Sequence, residues 1–172
     1  MNIAIKSVAV TLAIGMAFAA FDAGAAGTYQ NDANAPARCQ AFAPGPTNTI
    51  RNRVTGSENI GAAMNLACAF ESISSWDHGQ PVSAAGVQVG NYGNSALTVT
   101  CSELSGYFAD AGTVITKSTG SIAPGKSVFV DFNADDTPDE DDSNLGSYAV
   151  GIVCNLPTHA IVSETYSIWD ES

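Results

Sequence analysis

The chain has 172 residues, 45% of them hydrophobic and 13% charged, a length and balance that suit one globular domain and exclude a disordered chain. Seventeen acids against six bases give a net charge of −11, which argues against nucleic acid or an anionic membrane surface as a partner.

The chain opens with the three parts of a secretory signal: Lys6, an apolar run from Val8 to Phe21, and the small residues Ala23-Gly24-Ala25-Ala26. The run is shorter than the roughly 20 residues that span a bilayer, so it is expected to be cleaved, near residue 25 or 26, with Ala17-Phe18-Ala19 as a second small-x-small site. No cysteine lies beside either cut to carry a lipid. The expected product is secreted or periplasmic, with no membrane insertion after cleavage. Gly27 to Ala37 is polar and aperiodic and reads as a flexible N-terminal arm. The expected organisation is thus a signal peptide over 1–26, an arm over 27–37 and a domain over 38–172.

From residue 60 onward, side chains alternate with period 2, which points one row to a core and the next to water. The inward rows are Met64, Leu66, Cys68 and Phe70; Leu97, Val99 and Cys101; Val128, Val130 and Phe132; and Tyr148, Val150, Ile152 and Cys154. Weaker strands are expected over Arg38–Phe42, Val82–Val89, Gly112–Lys117 and Thr158–Ile168. Turn residues separate them, as in Asp77-His-Gly-Gln-Pro81, Gly90-Asn-Tyr-Gly-Asn94 and Ala123-Pro-Gly-Lys126. About eight short strands without a long amphipathic helix predict an all-β fold, an antiparallel β-sandwich of jelly-roll or immunoglobulin-like type.

Cys39, Cys68, Cys101 and Cys154 contain no C-x-x-C pair, which excludes a zinc knuckle or thioredoxin-type site by spacing. In an exported chain they are expected to form two disulfides. Three pairings are open, and Cys39–Cys68 with Cys101–Cys154 is favoured by the strands that hold them.

The segment Tyr148-Ala-Val-Gly-Ile-Val-Cys154-Asn-Leu-Pro157, followed by Ala160-Ile-Val-Ser-Glu164, resembles the C-terminal end of small secreted bacterial proteins of unknown function, in which a strand ends in Cys-x-Leu-Pro before a last short strand. Cys39-Gln40, the Cys68 strand and Thr98-Val-Thr-Cys101 are similar to the other cysteine positions of that group. The resemblance implies a disulfide-linked β-sandwich and brings no activity with it. The acidic segment after Phe132 departs from it.

Seven acids lie between Asp131 and Asp142. Counted from Asp131, oxygen side chains fall at positions 1, 3, 5, 9 and 12 of a loop, namely Asp131, Asn133, Asp135, Asp139 and Asp142, with the Thr137 carbonyl at 7. This spacing resembles EF-hand and extracellular repeat loops and makes calcium the candidate cofactor. Asp136 stands where those loops use glycine, Pro138 stiffens position 8, and Asp142 is shorter than the usual glutamate. The simpler reading is a solvated hairpin tip.

Catalytic signatures are missing: there is no G-x-S-x-G elbow, phosphate loop, Rossmann glycine pattern or H-E-x-x-H. Glu58, Glu71, Glu103 and Glu164 could supply a glycosidase pair, but nothing in the sequence selects two of them. No catalytic residue is therefore assigned, and the chain is not expected to be an enzyme. Trp76, Tyr92, Tyr107 and Trp169 lie in or near loops or the tail, where an aromatic face can stack on a sugar, and Trp76 is the candidate ligand-binding residue. The expected function is a secreted, non-catalytic module with a structural or binding role, its partner a polysaccharide or a protein. Two alternatives are a calcium-dependent carbohydrate-binding module and a subunit of a surface filament or matrix.

Charge is uneven along the chain. Ser127 to the C-terminus holds ten acids and no base, whereas Gly27 to Lys126 holds six acids and five bases.

Overall fold

The structure, a computed structural model, describes residues 28–42, 49–70, 82–105, 113–136 and 150–170. The signal segment, Trp76, Tyr107, His78, Tyr148, Thr137, Asp139 and Asp142 lie outside the described residues.

Among the described residues eleven strands and two short helical turns follow in order: β1 Thr28–Asn34, α1 Ala35–Arg38, β2 Cys39–Ala41, β3 Ile50–Arg53, β4 Gly56–Asn59, β5 Met64–Phe70, β6 Val82–Asn91, β7 Thr100–Ser105, β8 Thr113–Ser118, β9 Ser127–Asn133, a 3-10 turn Ala134–Asp136, β10 Val150–Leu156 and β11 Ala160–Asp170. They form two antiparallel sheets. The first has the order β3-β4-β11-β6-β9, with β1 also lying along β11; the second has the order β2-β5-β10-β7-β8. No helix among the described residues is long and apolar enough to cross a membrane.

The expected rows carry the core. Burial alternates along β5 and β10, with Leu66, Cys68 and Phe70 inward on one and Val150, Ile152 and Cys154 inward on the other. From the first sheet, Val87 and Val89 of β6, Val130 and Phe132 of β9 and Val162 of β11 join them in one continuous cluster. Each fully enclosed side chain of this size contributes about 1.5–3 kcal/mol. Cys39 is the register partner of Cys68, and Cys101 of Cys154, and both pairs are disulfides. Both bridges therefore tie neighbouring strands within the second sheet. Disulfides persist in oxidising, non-cytoplasmic surroundings, and these two place the chain there.

Three features differ from the sequence expectation. The described residues form eleven strands rather than about eight. Thr28–Asn34, expected as part of a flexible arm, pairs residue for residue with Glu164–Asp170 of β11. Its side chains give no alternation because the pairing is made by the main chain. Pro36 then starts the turn that carries the chain across to β2 in the other sheet. The hairpin of β3 and β4 is the third difference. Its strands, Ile-Arg-Asn-Arg and Gly-Ser-Glu-Asn, are polar on both faces, so no apolar period marks them. Gly56 fixes the hairpin's contact with β11: its φ is 143°, and a Cβ there would come within 2.2 Å of the Val162 carbonyl oxygen.

The row of Leu97, Val99 and Cys101 packs inward as expected, with its strand beginning at Thr100. Leu97 makes an isolated bridge to Ile122, and the strand proper points Cys101, Glu103 and Ser105 inward. Glu103 is fully buried, and neither carboxyl oxygen has a hydrogen-bond partner among the described residues.

Candidate binding site on the outer face of the first sheet

Register places five outward residues in a row across the first sheet: Arg51 opposite Glu58, Glu58 opposite Ile161, Ile161 opposite Gly90, and Gly90 opposite Ser127. Val162, the next residue of β11, packs in the core, so this row lies on the opposite face. Gly90 has no side chain to fill its place. A second row holds Gln88 between Glu164 and Phe129. The register slips between Val162 and Glu164, and the extra residue, Ser163, donates its hydroxyl to Gln88 Oε1 at 2.6 Å. In a third row Tyr166 lies over Gly86, whose absent Cβ would otherwise sit 2.4 Å from the ring. The Tyr166 hydroxyl donates to Asp131 Oδ1 at 2.8 Å. Burial first, then that hydrogen bond and the charge of Asp131, raise the Tyr166 phenol above its usual range.

This face carries two adjoining depressions, one of them over Gly90. One, of about 310 Å³, is bounded by Tyr92, Lys126 and Ser127; the other, of about 410 Å³, by Asp32, Asn34 and Glu164. Thr55, Gln88 and Ser163 border both, so the two form one groove. Together they reach the size of small-ligand sites, about 300–1,000 Å³. Asn34, Thr55, Gln88, Ser127 and Ser163 put amide and hydroxyl groups on the walls, and Tyr92, 47% exposed, presents an aromatic ring at one end.

The Tyr92 end rests on two buried asparagines. Asn91 Nδ2 donates to the carbonyls of Ser95 and Ile122 at 2.8 and 2.9 Å, while its Oδ1 accepts from Gly93 N at 2.8 Å. Asn59 repeats the device, with Nδ2 donating to the carbonyls of Ala62 and Leu156 and Oδ1 accepting from Gly61 N. Each closes a strand with Asn-x-Gly, a pattern visible in the sequence that strand periodicity passes over. Between them sits His159, with φ 67°, its amide donating to the Asn59 carbonyl and its carbonyl accepting from Tyr92 N. Asn91→Ala removes three hydrogen bonds, those of its side chain with the Ser95 carbonyl, the Ile122 carbonyl and the Gly93 amide, while the Ile122 carbonyl keeps the Leu97 amide. At about 1 kcal/mol per bond, urea unfolding is expected to show a loss of about 3 kcal/mol.

Beside this end lies a charge cluster. Glu58 is 2% exposed, and its Oε2 accepts from Arg51 at 2.9 Å and from Arg53 Nε. Burial alone would raise its pKa, but the hydrogen bonds and charges of Arg51 and Arg53 outweigh it and hold the carboxyl below its ordinary range. His159 Nδ1 is 3.6 Å from Glu58 Oε1. The Arg53 guanidinium lies 5.6 Å from the Tyr92 ring centroid, and the Tyr92 hydroxyl is hydrogen-bonded with that of Thr55 at 3.2 Å. Periodicity could not find this cluster, because its members come from β3, β4 and the turns after β6 and β10.

The acidic segment is described only at its start. Asp131 accepts from Tyr166, and Asp136 Oδ2 accepts from Lys117 Nζ at 2.6 Å and from Asn133 N at 2.9 Å. Asp135 lies in the single 3-10 turn after β9 and is exposed. Among the described residues no group of three or more His, Cys, Asp or Glu side chains converges as a metal cage. Of the other carboxylates weighed in the sequence, Glu58 is committed to two guanidinium groups and Glu103 is enclosed in the core, while Glu164 borders the groove. Glu71 lies outside the described residues. Trp169, with 8% exposure, is a packing residue rather than an exposed stacking surface.

No protein-family model matches the chain, and no curated protein matches it.

Proposed function

We propose that the chain is an exported, non-catalytic β-sandwich module that binds a polysaccharide along the outer face of its first sheet. The observation that carries this reading is the groove shared by Thr55, Gln88 and Ser163, walled by hydroxyl and amide groups and ended by the half-exposed Tyr92 ring. Sugars offer hydroxyl groups to such walls and a weakly apolar ring face to an aromatic side chain. The signal-like N-terminus, the two disulfides and the resemblance to small secreted bacterial proteins support export. β1 lies in its own sheet along β11, which favours a self-contained module over a subunit that lends its arm to a neighbour.

Affinity electrophoresis in polysaccharide gels tests the reading. Retardation of the mature protein is expected to be lost in Tyr92→Ala and Gln88→Ala with the melting temperature unchanged. A panel of polysaccharides that leaves migration unaltered overturns it. Trp76→Ala, run alongside, reports whether that residue adds a second stacking surface.

Calcium at Asp131, Asn133, Asp135, Thr137, Asp139 and Asp142 is a separate proposal, because Asp131 and Asp136 already have protein partners and the groove needs no metal to form its walls. Calorimetry with millimolar calcium checks it. Neither heat nor a change in melting temperature removes calcium from the account.

A further inference from the structure

The groove is electrically divided. At its Tyr92 end stand Lys126, which borders the depression, and Arg53, stacked by Tyr92. At its other end stand Asp32 and Glu164. Arg51, Arg53 and Lys126 are three of only six Lys and Arg residues in a chain of net charge −11. Two of them, Arg53 against the Tyr92 ring and Lys126 in the depression that Tyr92 borders, give this corner of the groove a basic character.

The corner is also braced. Glu58 uses Oε2 to hold Arg53 through Nε, which leaves the terminal N–H groups of that guanidinium without a partner among the described residues. Lys126 is exposed and makes no ion pair among the described residues. It leaves a turn fixed to the end of β6 by Asn91 N donating to the Lys126 carbonyl and Gly125 N to the Asn91 carbonyl. Tyr92, the residue after β6, carries Arg53 over its ring and borders the same depression as Lys126. A planar ring with a guanidinium against it and an ammonium bordering the same depression offers a stacking face together with two donors for one carboxylate.

Resting on the polysaccharide reading, we propose that the Tyr92 end of the groove is a subsite for a uronic acid residue, and that the sugar beside it along the groove is neutral. The uronate ring stacks on Tyr92, and its carboxylate accepts from Lys126 and Arg53. The next sugar passes between Thr55, Gln88 and Ser163 toward Asp32 and Glu164, where a second carboxylate would meet two like charges. The ligand is therefore a heteropolysaccharide with alternating acidic and neutral sugars, and neither a neutral glucan nor an unbroken polyuronate.

Gel retardation by three probes tests this: hyaluronan, in which uronate and neutral sugars alternate; carboxyl-reduced hyaluronan, the same backbone without charge; and polygalacturonate, charged at every sugar. Hyaluronan is expected to retard the mature protein at least tenfold more strongly than either of the others. Lys126→Gln and Arg53→Gln are expected to lose that preference. The Lys126 side chain has no partner among the described residues, so its variant reads binding apart from stability. Glu164→Gln is expected to raise retardation by polygalacturonate. Equal retardation by hyaluronan and its reduced form overturns the uronate subsite while leaving the polysaccharide groove intact. Polygalacturonate matching hyaluronan overturns the alternation. No retardation by any of the three overturns the subsite, and a neutral glucan panel then decides the groove itself.

Discussion

Removing both disulfides is expected to lower the unfolding free energy by about 7 kcal/mol, bringing the domain to the edge of unfolding at room temperature. The bridges close separate loops, Cys39 to Cys68 and Cys101 to Cys154, with sequence separations of 29 and 53. Because the loops do not overlap, their entropic contributions add to first order, about 3.5 and 4 kcal/mol on the chain-entropy model. The strands they join explain why the loss is felt everywhere. β10 lies at the centre of the second sheet and reaches its partners β5 and β7 only across long stretches of chain. Paired Cys→Ala variants in urea check the result, with Cys101/Cys154 the costlier pair. If the doubly reduced protein unfolds at an unchanged urea midpoint, the bridges are ornaments on a core that is sufficient by itself.

The second large effect concerns Glu103. Its carboxyl is fully buried between the sheets on the inward row of β7. Burial raises its pKa from 4.5 to about 7; the nearby Ser105 hydroxyl pulls the other way without completing a hydrogen bond, and the charge of Asp136 adds to the rise. The folded protein thus holds this proton more tightly than the unfolded chain does. Stability from this group is full below pH 4.5, falls as pH rises through the interval to about 7, and stays low above it. The difference at neutral pH is on the order of 3 kcal/mol. Glu58 has the opposite sign: its lowered pKa contributes stability above the ordinary carboxylate range that is lost as pH falls through its folded value. Urea unfolding from pH 4 to 8 separates the two. Glu103→Gln is expected to be more stable than the parent at pH 8 and to lose that advantage toward pH 4. Parallel profiles for parent and variant would show that Glu103 is solvated in the folded protein.

The inward carboxyl of Glu103 also shows where sequence reasoning stops. The alternation that points Cys101 inward applies equally to Glu103, two residues on, but a charged residue breaks an apolar row, so the apolar pattern ends at Cys101. Cysteine phase was legible for the same reason in reverse. Cys68, Cys101 and Cys154 each continue a run of apolar alternates, so their inward direction follows from period 2 alone.

Local sequence by itself determined the all-β class, the rows of β5, β9 and β10, and the inward cysteines, because a strand with one buried face writes that face into every second residue. Tertiary structure alone decided the rest. β1 and the β3–β4 hairpin are polar on both faces, and they become strands only because β11, more than a hundred residues later, presents main-chain partners to Thr28–Asn34 and to Ser57 and Glu58. The groove has the same origin. Gly90, Ser127, Thr55 and Ser163 carry no common signal along the chain, and they become one surface because antiparallel register sets strands distant in sequence side by side. The acidity of the chain changes meaning with it: a net charge of −11 describes the average, while the fold sets Lys126 and Arg53 beside Tyr92 at one end of a groove and Asp32 and Glu164 at the other.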